Sequence, residues 1–314
     1  MRKQPSLPGS VRGDFRPRPA VSRRAMLCGA GLGVAALASS GAAPAQQGEP
    51  QRVPLKIGHR AASMRMAGNF GVFKLARRIP GLMGVELQVA SGNPNLRDWD
   101  VVRRYKQEAN RWGMMIPSLA GLWDRGVSIR NSPAAGINLL QSIRVAEFLG
   151  ASVILAAFFN ENAPDMNQES SYGPVVQLLQ KAAPTAADAG VIIALENSLS
   201  PADNRKLVDL AGHRSVQVYY DLFNMAQYGH GDEAVPGVAL LGKERIAQVH
   251  VKNGDKLIEA PGPIDWKAAL EALSGIGYDG WIVFESAHSD EANVIEATTK
   301  NIQFLRKHCR MPAG

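Results

Sequence analysis

The chain has 314 residues, 46% of them hydrophobic and 20% charged, with a net charge of +7. Residues 1–46 hold seven Lys/Arg and one Asp, or +6, so residues 47–314 carry only about +1, and the net charge gives no support for nucleic-acid binding there. Past Cys28 the only cysteine is Cys309, which excludes an internal disulfide framework.

Residues 21–46 read VSRRAMLCGAGLGVAALASSGAAPAQ. A twin arginine, Arg23-Arg24, precedes a weakly apolar run rich in Gly and Ala, and Ala43-Pro44-Ala45 closes it as an A-x-A cleavage site would. The run is too short and too rich in small residues for a membrane anchor. Ala25-Met26-Leu27 before Cys28 makes a poor lipobox. Residues 1–46 are therefore expected to be a twin-arginine signal peptide and 47–314 a single folded domain bound for the periplasm.

After a polar lead-in, LKIGHR (55–60) reads as the first strand and 70–78 as a short helix. GVELQV (84–89) is the second strand. Residues 98–112 have a helical period, with Val101, Val102, Tyr105 and Ala109 on one stripe, and Gly113 stops them. MMIPSL (114–119) is the third strand. Ser132-Pro133 predicts a capped helix start, and that helix runs through Ile137, Leu140, Ile143 and Phe148 to Gly150. SVILAAFF (152–159) is the fourth strand, followed by a polar loop over 160–173 and a helix over 175–189. VIIALENS (191–198) is the fifth strand, and Ser200-Pro201 opens a helix that ends near Gly212. VQVYYD (216–221), IAQVHVK (246–252) and WIVFE (281–285) complete the strands, with helices over 265–273 and 290–307 and a loop rich in Gly and His after the sixth.

Continuous apolar strands suit a parallel sheet covered on both faces. Eight unbroken strand-helix alternations predict an α/β fold, a single-domain (β/α)8 TIM barrel. An open doubly wound sheet would want a Gly-rich phosphate loop after its first strand, and IGHRAASM is not one.

The last four strands each end on a polar residue: Glu196, Asp221, His250 and Glu285. Their gaps are 25, 29 and 35 residues (221 − 196, 250 − 221, 285 − 250), close to one strand-helix unit of about 30. In a barrel the strand ends converge on one mouth, so the four would face a common point. Three carboxylates and an imidazole form a mostly hard oxygen site, suited first to Mn²⁺, with Mg²⁺, Co²⁺ or Zn²⁺ as alternatives. Each residue alone has a bland reading as a cap or ion-pair partner; one per strand at the same depth is a stronger signal. Val249 and Val251 face away from His250, so its own side also carries Gln248 and Lys252.

The segments ALENS, YYDLFN, VHVKNGD and VFES resemble the four metal-ligand segments of the sugar phosphate isomerase/epimerase group, the xylose isomerase-like TIM barrels. The resemblance implies a divalent-metal-dependent isomerase or epimerase of a carbohydrate or hydroxy-ketone, working by proton abstraction next to a metal-polarised carbonyl through an enediolate. It implies Glu196, Asp221, His250 and Glu285 as ligands of one ion, with Glu196 and Glu285 doubling as acid and base. Such epimerases carry a histidine three residues after the Asp and an arginine six after the metal histidine; here those positions are Asn224 and Lys256. Substrate recognition is thus expected to differ, with Asn224, Lys252, Lys256 and His59 as candidate substrate contacts and Glu86 and His230 behind them. Trp123, Phe158 and Phe159 are candidates for stacking on a sugar ring.

The alternative within the same barrel is a lyase or hydrolase of keto-glycosides, in which the same proton abstraction expels a leaving group. A DNA-repair endonuclease with a multinuclear zinc site would need more than the six histidines present. A non-catalytic sugar-binding protein would be two-lobed, without the quartet. The expected partners are a small sugar substrate and the twin-arginine export machinery, with self-association left open and no nucleic acid.

Overall fold

The computed structural model describes residues 55–130 and 132–309. The predicted signal peptide lies outside the described residues. Eight parallel strands close into a barrel in sequence order: β1 (Lys56–Arg60), β2 (Gly84–Gln88), β3 (Ser118–Ala120), β4 (Val153–Phe158), β5 (Ile192–Asn197), β6 (Val216–Asp221), β7 (Ile246–Val251) and β8 (Trp281–Phe284). β8 pairs back onto β1, with Ile57 opposite Ile282 and His59 opposite Phe284. The first five strands are followed in turn by α1 (Val72–Arg77), α2 (Trp99–Trp112), α3 (Ala134–Leu149), α4 (Glu169–Asp188) and α5 (Pro201–Ala211). Three short helices, α6 (Leu222–Gln227), α7 (Gly231–Ala234) and α8 (Pro236–Leu241), follow β6; α9 (Trp266–Gly275) follows β7 and α10 (Glu291–His308) follows β8. The (β/α)8 barrel expected from the strand-helix alternation is the fold observed.

The main core fills the layer between strands and helices. A second, smaller apolar cluster joins Ala120, Val153, Leu155, Ala194 and Tyr219. Ala194 stands two residues before Glu196, and Tyr219 two before Asp221, so this cluster lies on the same faces of β5 and β6 as the site residues, inside the barrel and below them.

Helix starts follow side-chain chemistry where a cap exists. The Ser200 hydroxyl accepts from the Asp203 N–H at 3.1 Å, with Pro201 in the first turn of α5. Ser132 does not cap α3; the first turn is closed by the Ala135 N–H on the Ser132 carbonyl at 3.0 Å. The stripe expected on α3 is also rotated. Ile143 is buried, but Ile137, Leu140 and Phe148 are 59%, 44% and 44% exposed. The buried face instead carries Ala135, Asn138, Leu139, Ser142 and Ala146. Asn138 is drawn inward by the preceding loop, accepting from the Asp124 N–H and donating to the Asp124 carboxylate.

Two boundaries differ for similar reasons. α4 starts at Glu169 and runs through both Pro174 and Pro184, so the expected polar loop is shorter. Its first turn is seeded by the Gln168 carbonyl, which accepts from the Ser171 and Tyr172 N–H groups. β3 begins only at Ser118, because before it Met115 makes a single isolated bridge to Gly84.

Candidate metal centre

The closing residues of β5, β6 and β7 and the first residue after β8 bring Glu196, Asp221, His250 and Glu285 together. One ligand atom from each lies within 4.8 Å of all the others. His250 Nδ1 is 3.0 Å from Glu196 Oε1, 3.8 Å from Asp221 Oδ2 and 3.5 Å from Glu285 Oε2. An octahedral ion with bonds of about 2.1 Å keeps neighbouring ligands about 3.0 Å apart and opposite ones about 4.2 Å. The donor spacing therefore fits one ion.

Each ligand is held by a specific partner. Asp221 caps α6, its Oδ1 accepting from the Asn224 N–H at 2.9 Å. That leaves Oδ2 for the centre. Oδ2 pairs with the Lys252 ammonium 2.8 Å away. Lys252 Nζ also donates to Glu285 Oε2 at 2.6 Å. The Arg60 guanidinium meets the other Glu285 oxygen and lies 3.5 Å from Glu86 Oε1. Four carboxylates, Glu86, Glu196, Asp221 and Glu285, thus face two permanent cations, Arg60 and Lys252. With His250 neutral, as a ligand must be, the excess of two negative charges (four minus two) matches one divalent ion, and so does the oxygen-rich donor set.

The electrostatics follow from this crowding. Burial opposes ionisation of Glu196, but His250, then Lys252 and Arg60, outweigh it and hold the carboxyl below its usual range. At Asp221 burial wins over Lys252 and the pKa is raised. At His250 burial disfavours the charged ring, yet Glu86 and then Glu196 push its pKa up to about 9. A proton and a cation would compete for the same Nδ1 lone pair.

The remaining candidates fall at different depths. Asn224 is buried and donates through Nδ2 to Glu196 Oε1 at 3.2 Å. Lys252 bridges Asp221 and Glu285. Lys256 is exposed in the loop after β7 and outside these contacts. His59 is fully buried with its Nε2 taken up by His288 Nε2 at 3.0 Å; burial and the neighbouring His288 drive its pKa down to about 3, so it stands neutral behind the mouth. Glu86 has no exposed surface and lies behind His250, its Oε1 3.3 Å from His250 Nε2. His230 faces Glu233 at 3.6 Å, outside the quartet. Phe158 is core, whereas Phe159 stacks on Tyr228 with centroids 5.3 Å apart. Half-buried Trp123 donates its indole N–H to the Ala157 carbonyl at 2.6 Å.

Arg60, Tyr219 and His288 escape the sequence reading. Tyr219 and Gln248 stand two residues before Asp221 and His250, and that alternation is the signal that places them inside the barrel. Arg60 ends β1 as the ligands end their strands, but no spacing distinguishes it from a solvated charge.

A family model described as Xylose isomerase-like TIM barrel matches residues 73–308. The chain belongs to the xylose isomerase-like TIM barrel family. Similar to this family member is the L-ribulose 3-epimerase of Mesorhizobium japonicum, 29% identical over 207 residues that cover 60% of this chain and 66% of that protein. The match thus spans just under two thirds of that relative's length. Among solved structures, the D-allulose 3-epimerase of Methylomonas sp. in complex with D-allulose has a TM-score of 0.65 at 19% identity, over 82% of this chain and 98% of that one. The 3-keto-D-glucoside 4-epimerase of E. coli has a TM-score of 0.61 at 16% identity, over 81% and 99%. At these identities the two structures share the family's barrel with this chain.

Proposed function

We propose that this chain is a divalent-metal-dependent epimerase of a ketose or related hydroxy-ketone, with Mn²⁺ as the first choice of metal. The observation that carries the reading is the pair Glu196 and Glu285. Both approach His250 Nδ1 to ligand distance, yet they come from the ends of β5 and β8, with β6 and β7 between them. A substrate seated at the centre would lie between two carboxylates on different sides. The similarity to proteins named L-ribulose 3-epimerase and D-allulose 3-epimerase supports a ketose as the substrate class.

When bound, a divalent ion supplies Lewis acidity that eases loss of the proton next to a carbonyl. The rest of the reaction belongs to the chain. Asn224 and His250 both engage Glu196 Oε1, which orients Oε2 to take that proton. Arg60 and Lys252 grip the two oxygens of Glu285 and hold it across the site; entering the cycle protonated, it returns a proton to the opposite face, and exchange with solvent after product leaves resets both carboxyls. Burial of Glu196, Asp221 and His250 limits the access of bulk water to that side of the site.

The test is Glu196→Gln and Glu285→Gln, each keeping shape and an oxygen while removing the base. Turnover should fall by about 10²–10⁴-fold in each. One variant should still exchange the substrate α-proton with deuterated solvent, because half of the reaction survives. Unchanged turnover in either variant rejects the two-base mechanism, and cleavage products in place of inversion favour the lyase or hydrolase alternative.

A further inference from the structure

The first half of the barrel mouth carries a side chain that the proposed reaction does not use. Gln88 closes β2, two residues beyond Glu86, so it shares the inward face and stands about 6.6 Å nearer the mouth. Only 7% of the residue is exposed. Its Oε1 and Nε2 are both buried, and neither has a hydrogen-bond partner among the described residues. No other buried carboxamide among those residues lacks partners on both atoms. The layer below is the contrast. Glu86 Oε2 accepts from Ser118 Oγ and Tyr219 Oη at 2.7 Å, and its Oε1 lies 3.3 Å from His250 Nε2. Burying a polar group unpaired is unfavourable, so an orphaned amide at a site calls for an occupant that pairs with it.

Its place in the ring says which occupant. In a closed barrel of eight strands β2 lies opposite β6, the strand that ends on Asp221. Glu86, a side chain as long as Gln88, spans the barrel to Tyr219 on β6 and His250 on β7. Gln88 stands two residues above Glu86, as Asp221 stands two above Tyr219, so it reaches the axis at the level of the quartet. The inward positions beside it are short: Ala120, its register partner on β3, and the partly exposed Ala157 on β4. They leave room beside the amide. A carboxamide sets an acceptor and a donor side by side without charge, which matches hydroxyls on neighbouring carbons of a neutral sugar. We propose that Gln88 is a specificity-determining residue, whose carboxamide binds the last two hydroxyls of a six-carbon ketose held by its carbonyl end at the quartet. The inference rests on the ketose epimerase reading. A shorter ketose leaves the amide unpaired, and a site made for a hydroxyl discriminates against a substrate that lacks it.

Gln88→Met tests it on the full chain, because methionine keeps the length of the side chain and removes both hydrogen-bonding ends. The probes are D-allulose and D-ribulose, a ketohexose and a ketopentose one carbon shorter, with Mn²⁺ present. The wild type should favour D-allulose in kcat/KM. In Gln88→Met the ratio of the two kcat/KM values should fall by about tenfold or more, through KM more than through kcat. A second readout needs no turnover. The ¹⁵N side-chain amide signal of Gln88 in the wild type should shift with D-allulose and much less with D-ribulose. That signal is assigned by its loss in Gln88→Met or in Gln88→Leu, so the readout stands if one variant does not fold. An unchanged ratio overturns the proposal, because equal losses on both sugars indicate damage to the barrel. A Gln88 signal that shifts with neither sugar also overturns it and leaves the amide to water. A wild type that turns over neither sugar, yet shifts the Gln88 signal with D-allulose, keeps the sugar contact and rejects the epimerase reading instead.

Discussion

Asp221 shows how much one side chain is asked to do. Its Oδ1 starts α6 and its Oδ2 faces the centre. Asp221→Asn separates the two tasks. The amide oxygen can still accept from Asn224 and keep the cap, while an NH₂ group replaces the ligand oxygen. The expected outcome is retained secondary structure with at least tenfold weaker metal binding, checked by circular dichroism and by metal content after dialysis. Full metal occupancy would remove Asp221 from the centre. At this scale the sequence shows the quartet, because each member closes a strand and the four recur about once per strand-helix unit. It hides the partners. Glu86 meets His250 across 164 positions and Gln248 meets Ser118 across 130, and no local pattern encodes pairings that only barrel closure creates.

Strands with uninterrupted apolar runs, such as VILAAF in β4, are legible because both faces are covered. Helices are legible where Ser-Pro or Gly punctuate them, as at Ser200 and at Gly113, whose φ of 60° suits a residue without a side chain. The α3 stripe misleads, since an Asn turned inward by a loop outweighs three apolar residues left outside. The segment after β6 holds three short helices where Gly and His suggest a loop. Its packing is close at Gly237, where an added Cβ would come within 2.3 Å of the Tyr220 hydroxyl and 2.8 Å of Pro201. That hydroxyl is committed to the Ala234 carbonyl at 2.7 Å and cannot swing aside without losing the bond. Gly237→Ala should therefore destabilise the protein by about 1–3 kcal/mol, despite the better helix propensity of alanine. Denaturant unfolding of the variant measures this, and an unchanged midpoint would mean that α8 moves freely against β6.

For the whole molecule, most of the net charge resides in residues 1–46. We propose that these residues direct export by the twin-arginine route, which carries proteins already folded, so that the metal is acquired before crossing. Replacing Arg23 and Arg24 together by Lys should leave the precursor in the cytoplasm, as seen by fractionation and by its undiminished mass. Normal export of the double variant would refute this assignment. The fold itself is legible at this scale because strand-helix units repeat without interruption, whereas the loops that shape the mouth carry no comparable period.

All four quartet members come from consecutive strands, β5 to β8, on one side of the barrel. The loops after β1 to β4 share the mouth but supply none of the four. They can lengthen, shorten or exchange side chains without replacing any quartet member, provided that Arg60 and Glu86 stay in place. If the proposed function holds, grafting loops in the first half of the chain is a route to new specificity that leaves the quartet's own strands untouched.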